Sequence, residues 1–151
     1  MEILNLKEIE NYEEKMLNFL QKADNLFSNP LHNRINLKDY NKKIIEFADI
    51  FVCYDKEEIV GSFVIYTNDN ILKISNAVLL VVLGNYQGKG IGEKLFKIGL
   101  VFAKNKKMKK MKLDTDNKIA LKMYLNLKFK IISQEGNRYY LEKNLEEDQN
   151  E

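Results

Sequence analysis

Hydrophobic and polar positions along the chain change their period several times, and each change marks an element. In the first third, Ile9, Tyr12, Met16, Phe19, Leu20 and Ala23 recur near helical spacing with charged residues between them, which predicts an amphipathic helix. A short strand over Ile3 to Leu6 precedes it. Ser28-Asn29-Pro30 stops the helix, because proline cannot continue it and disfavours helix in the residue before. After a polar loop through His32, Asn33 and Arg34, the stripe Leu37, Tyr40, Ile44, Ile45 and Ala48 predicts a second helix paired with the first. Arg34 and Tyr40 are candidates to line a pocket between the helices and the sheet, although capping and packing explain them equally well.

From Ile50 the chain turns β-rich. Ile50 to Tyr54 and Ile59 to Tyr66 flank Asp55-Lys56-Glu57-Glu58, the pattern of an antiparallel hairpin. A turn at Asn68-Asp69-Asn70 leads into Ile71 onward. Ala77 to Leu83 is apolar without alternation, which predicts a central strand covered on both faces. Ile91, Leu95, Ile98 and Phe102, widened by Phe96, Leu100 and Val101, then give a helix packed on the sheet. Lys109 to Thr115 reads as a strand, and Lys118 to Leu127 as a helix capped by Asp116 or Asn117 with Ala120, Met123, Tyr124 and Leu127 on one face. Phe129 to Ser133 and Arg138 to Leu145 close the chain as a hairpin around Gln134-Glu135-Gly136-Asn137. Glu146 to Glu151 is a polar acidic tail.

Composition narrows the class. A chain of 151 residues suits one domain, taken as 1–145 followed by the tail 146–151. The 45% hydrophobic and 30% charged residues are those of a globular protein. A formal charge of +2 does not by itself favour nucleic acid or a membrane surface as partner. A single cysteine, Cys53, excludes an intramolecular disulfide, and the lone His32 argues against a histidine-built metal site. No secretory signal is expected from the charged start at Met1-Glu2, and no apolar run approaches the ~20 residues of a membrane span, so the expected location is cytoplasmic. The run Lys104, Lys106, Lys107, Lys109, Lys110 and Lys112 reads as a solvated helix end, where positive charge is favoured.

Between the apolar strand and its helix lies Asn85-Tyr86-Gln87-Gly88-Lys89-Gly90-Ile91-Gly92, with three of the seven glycines at alternate positions. Neither the P-loop pattern nor the dinucleotide fingerprint fits: from Gly88 and Gly90 the third glycine would fall at Glu93, and from Gly90 and Gly92 at Leu95. Unpaired N–H groups at a helix start, with the macrodipole behind them, nevertheless favour an anion such as phosphate.

Gln87-Gly88-Lys89-Gly90-Ile91-Gly92 resembles the Q/R-x-x-G-x-G/A signature of the GNAT superfamily of acyl-CoA-dependent N-acyltransferases, with Tyr86 as its usual aromatic predecessor. Asn117 to Tyr124 is similar to the family's N-x-x-A-x-x-x-Y helix, and Phe129 stands where a Gly-Phe pair commonly follows. Lys128 occupies the glycine's place, and Gly84 replaces a frequent proline. The resemblance spans nearly the whole chain and implies an α+β, mixed fold in which helices flank a central, mostly antiparallel sheet. It implies acetyl-CoA as co-substrate and no metal, with the pyrophosphate on Gln87, Gly88, Lys89, Gly90, Ile91 and Gly92. The pantetheine would pair with the backbone of Leu80, Val81 and Val82 and be approached by Asn117. Tyr124 would be the general acid that protonates the departing thiolate.

The implied activity is transfer of acetyl directly to a primary amine of a small molecule, peptide or protein, with a homodimer left open. The alternative is a non-catalytic acyl-CoA sensor or interaction module. Its motives are Lys128 and the missing base: the strand from Lys73 to Leu83 holds no carboxylate, and Asp114, His32, Glu57 or a water chain all remain open. Taken alone, Tyr124 would pack in a core, Asn117 would cap a helix, Cys53 would be a buried hydrophobe and His32 a surface loop residue.

Overall fold

A computed structural model describes residues 1–148, with strands, helices and short turns in the order the periodicities anticipate. The strands are β1 (Glu2–Asn5), β2 (Asp49–Asp55), β3 (Glu58–Tyr66), β4 (Ile74–Val82), β5 (Lys110–Thr115), β6 (Lys130–Glu135) and β7 (Arg138–Asn144). The helices are α1 (Tyr12–Ala23), α2 (Leu37–Phe47), α3 (Ile91–Asn105), α4 (Lys118–Asn126) and a single turn α5 (Leu145–Asp148). The seven-stranded sheet is mixed and mostly antiparallel: β1–β2, β2–β3, β5–β7 and β6–β7 pair antiparallel, and β4 pairs parallel with β5. The chain forms two compact units, Met1–Ile65 with Leu79–Gly99 and Tyr66–Val78 with the segment from Leu100 on. Both β4 and α3 run from one unit into the other.

The first unit carries strand order β1-β2-β3-β4. Its hairpin closes on two residues only, Lys56 and Glu57, both at positive φ (52° and 64°), because such turns match the right-handed twist of the strands they join. α1 buries Met16, Phe19, Leu20 and Ala23 as the spacing predicts, while Ile9 lies outside the helix after a 3-10 turn at Leu6–Glu8. Proline does not end α1. The helix stops at Ala23, and the following turn, Asp24–Leu26, buries Asp24, whose carboxylate accepts the backbone N–H of His32 at 3.1 Å and contacts its ring. Within this unit α3 buries Ile91, Leu95 and Phe96, and the Phe63 ring of β3 packs against Phe96 in a tilted pair, 5.0 Å between centroids. A Cβ at Gly99 would lie 2.2 Å from the Phe63 ring, so the ring packs against the helix backbone in space that only glycine leaves. Ile98 and Val101, expected on the packed face, are exposed instead.

The second unit carries order β4-β5-β7-β6. Its opening corrects two expectations. Ile71 and Leu72 do not begin a strand: their N–H groups donate to the Asp69 carboxylate at 3.1 and 2.9 Å, which leaves them exposed in a turn until β4 starts at Ile74. The apolar run of β4 is not covered on both faces either. Only Ser75 and Leu79 are buried, and the parallel ladder with β5 comprises Ile74, Ser75 and Asn76 alone. An unbroken apolar run has the look of two-sided burial, but this strand loses its β5 neighbour after its first three residues. The last hairpin is also tighter than expected, with β6 reaching Glu135 and the turn reduced to Gly136 and Asn137. Of the expected tail, Glu146 to Asp148 belongs to α5, and residues 149–151 lie outside the described residues.

Candidate active site

The glycine segment follows β4 in the first unit. Leu83 N–H donates to Val60 O at 2.9 Å, and a 3-10 turn, Gly84–Tyr86, reverses the chain. Gln87 then reaches back, its side-chain Nε2 donating to Val82 O at 2.9 Å. That bond ties the turn to the end of the strand, so the Gln87 amide acts on protein backbone. Gly88 and Gly90 both adopt φ +79°, a region that costs an L-residue about 1–2 kcal/mol. A Cβ at either would meet no protein atom within 4 Å, so backbone conformation, not internal crowding, requires glycine there. Gly92 has neither requirement, since its Cβ would make only ordinary contact with Val82 at 3.8 Å.

The first donor of α3 is Lys94 N–H, to Gly90 O at 3.1 Å. Among the described residues no protein oxygen accepts from the backbone N–H groups of Gly88 to Glu93. A fifteen-residue helix thus presents uncompensated donors at its positive end, the arrangement that binds phosphate. Ile91, Leu95 and Phe96 anchor the helix start in the core. Tyr86 holds the turn from the other side: its hydroxyl donates to Asp55 at 2.8 Å, and Lys89 Nζ stands 5.6 Å from its ring centroid. Asp55 accepting that proton raises the Tyr86 pKa. Asp55 was not legible as a site residue, because it lies 31 positions away on another strand. Leu80, Val81 and Val82 are half-buried and lie beyond the last β5 pair, Asn76 with Lys112.

In the second unit, Asn117 is the N-cap of α4. Its Oδ1 accepts from Ile119 and Ala120 N–H at 2.9 and 3.0 Å, while its own N–H donates to Thr115 Oγ1 at 3.1 Å. Tyr124 is the buried residue of that helix, 6% exposed. Burial, then the negative charge of Asp114, pushes its pKa up to about 12. Phe129 packs against it at 5.9 Å between centroids and donates its N–H to Tyr124 O at 3.0 Å. The turn between them puts Lys128 at φ +73°, so the left-handed conformation persists without the glycine.

Of the candidate bases, Asp114 and His32 are engaged. Asp114 pairs with Arg138 at 2.5 Å, and Asp116 takes the other arm of the same guanidinium at 3.3 Å. His32 is bound by Asp24; burial alone would raise the Asp24 carboxyl, but hydrogen bonds from His32 and Leu31 outweigh it and lower the pKa. Glu57 sits in the β2–β3 turn. The groove between α1 and α2, about 480 Å³, is lined by Tyr12, Glu14, Leu17, Lys38, Asn41 and Lys42 among others, without Arg34 or Tyr40. Arg34 donates to Asn29 O at 3.3 Å. Among the described residues no group of three or more His, Cys, Asp or Glu is placed to hold a metal, and no helix is long and apolar enough to cross a membrane.

Against known proteins, the family model of the acetyltransferase (GNAT) domain matches residues 46–131. No curated protein sequence matches the chain. Among solved structures, the chain is similar to the PaiA N-acetyltransferase of Thermoplasma acidophilum in complex with coenzyme A, at 14% identity and TM-score 0.66 over 95% of this chain and 99% of that one. A GNAT family acetyltransferase of Elizabethkingia anophelis with acetyl-CoA bound gives 23% identity and TM-score 0.56 over 71% and 82%. The ribosomal-protein-alanine N-acetyltransferase of Brucella melitensis gives 14% and 0.73 over 95% and 99%.

Proposed function

Because the chain belongs to the GNAT family of acetyltransferases, we propose that it moves an acetyl group directly from acetyl-CoA to the primary amine of an acceptor that is a small molecule, peptide or protein. The observation that carries this reading is the row of unaccepted N–H groups from Gly88 to Glu93 at the head of α3. A diphosphate would supply the missing acceptors there, held also by Lys89 and positioned by the Gln87–Val82 bond. The solved relatives that hold coenzyme A or acetyl-CoA support the same choice of ligand. In this reading residues 1–145 act as one catalytic domain and the enzyme works in the cytoplasm.

The edge of Leu80 to Val82 offers backbone groups to the pantetheine amides, as a further strand would. Gln87 already occupies the Val82 carbonyl, so the contacts there fall to Leu80, Val81 and the Val82 N–H. A backbone N–H on this edge holds the thioester oxygen as the amine lone pair attacks the carbonyl carbon and the C=O pair becomes an oxyanion. The nitrogen, positively charged after attack, loses its proton to water, and collapse re-forms the carbonyl and expels the thiolate. Tyr124 donates its O–H to the sulfur. With its pKa at about 12, well above a thiol's ~8.5, the phenol serves as a hydrogen-bond donor that stays protonated rather than surrendering the proton early. Asn117 uses its Oδ1 on the helix cap, which leaves its NH₂ for the pantetheine.

The test is thiol release from acetyl-CoA across a panel of amines, run beside calorimetry with acetyl-CoA and coenzyme A. Saturable binding with release on one amine class is the expected result. Absence of binding overturns the assignment of the glycine turn. Binding without release on any amine would leave an acyl-CoA-binding module, the reading that the engaged carboxylate of Asp114 favours.

A further inference from the structure

The alternation of β7 places Leu141 and Lys143 in the same buried layer, where Leu141 is fully buried and Lys143 only 6% exposed. Lys143 pairs across the sheet with Met111, itself fully buried. A position in such a layer calls for an apolar side chain, and lysine is almost never found there unless its ammonium is paired. A methionine of similar length would fill the space without the desolvation cost. The ammonium has a defined use: Lys143 Nζ donates to Leu127 O at 2.9 Å.

Leu127 is the residue that ends α4. The neighbouring carbonyls are satisfied by the turn itself, Met123 and Tyr124 by Leu127 N–H, Leu125 by Lys128 N–H at 3.0 Å, and Tyr124 again by Phe129 N–H. The Leu127 carbonyl points out of that local scheme and is taken by a side chain from another element. A positive charge at a helix C-terminus is favoured by the macrodipole as well. Lys128 holds the turn at positive φ with no glycine to make it easy, and the end of this nine-residue helix takes one further bond from outside.

We propose that Lys143 is a positioning residue, which clamps the C-terminal turn of α4 and so fixes the place of Tyr124. This rests on Tyr124 acting at the sulfur. A donor there must be held to a fraction of an ångström, and a displacement of about 1 Å costs on the order of a hundredfold in rate. Lys143 belongs to neither the glycine turn nor β4, so the clamp acts on turnover and not on cofactor affinity.

The experiment is a double-mutant cycle between Lys143→Met and Tyr124→Phe, with kcat, the KM for acetyl-CoA and calorimetric affinity read for each enzyme. Lys143→Met should lower kcat by about tenfold or more while acetyl-CoA affinity stays unchanged, and should cost nothing further in the Tyr124→Phe background. Lys143→Arg, which keeps a charged donor, should recover most of the loss. If the methionine variant does not fold, Lys143→Gln goes through the same cycle. An unchanged kcat in the folded variant, or losses that multiply with those of Tyr124→Phe, overturns the clamp while leaving Tyr124 its role. A wild-type rate for Tyr124→Phe overturns the role of Tyr124 itself, and the clamp with it.

Discussion

Tyr124 shows how much a single side chain changes once its surroundings are known. Burial disfavours the phenolate, and Asp114 adds a negative charge that disfavours it further, so the folded pKa of about 12 lies above the ordinary value of 10. The neutral form is thus the favoured one. Its contribution to stability is fully present below about pH 10 and is lost as the pH rises toward 12. In the proposed mechanism the consequence is a donor that does not titrate in the working range. We expect the rate to climb with pH as the acceptor ammonium, near pKa ~10.4, loses its proton, with no descending limb from Tyr124 below about pH 10. Tyr124→Phe should lower kcat on the order of a hundredfold without moving the acetyl-CoA affinity seen by calorimetry. A descending limb near pH 8 to 9 that the phenylalanine variant abolished would show a phenol far more acidic than its burial permits.

Among the elements, α4 and its closing turn are the most instructive. The N-cap Asn117 and the face bearing Tyr124 follow from local sequence, since both depend only on residues within one helical turn. The C-terminal turn does not. Its sequence lacks the glycine that a left-handed residue favours, yet the turn forms with Lys128 at φ +73°, held by Phe129 packed on Tyr124 and by the Lys143 bond. Lys128→Gly should therefore relieve about 1 kcal/mol of backbone strain and raise the melting temperature by roughly 2–4 °C in a thermal unfolding scan. A lower melting temperature would mean that the Lys128 side chain contributes more than its backbone costs. β4 carries the converse lesson. Its composition announces burial on both faces, and its ladder with β5 instead ends at Asn76, leaving most of the strand half-exposed.

For the whole molecule, the ligand reading predicts a linkage that any unfolding probe can follow. A cofactor that binds only the folded chain at a hundredfold its dissociation constant adds about 2.7 kcal/mol to stability. Coenzyme A should raise the melting temperature accordingly, and pantetheine, which lacks the diphosphate, should do far less at the same concentration. Equal shifts would take the diphosphate off the glycine turn. The fold that supports this was legible where the signal is local. Met16, Phe19, Leu20 and Ala23 declare the buried face of α1, Gly88 and Gly90 declare a backbone that turns left-handed, and Asn117 declares a helix start, because periodicity, φ preference and capping act within a few residues. Other features were decided by partners distant in the chain: the grip of Arg138 on Asp114 and Asp116, the burial of Asp24 beneath His32, the hold of Asp55 on Tyr86, and the point where β5 leaves β4. The sequence by itself determined the order of the elements and placed glycine at the two positions where the turn after β4 takes positive φ. Only the tertiary structure decided which carboxylates are already paired, which strand edge stays open and why a lysine is buried at position 143, since the energy of burying a charge depends on the acceptor that folding brings to it.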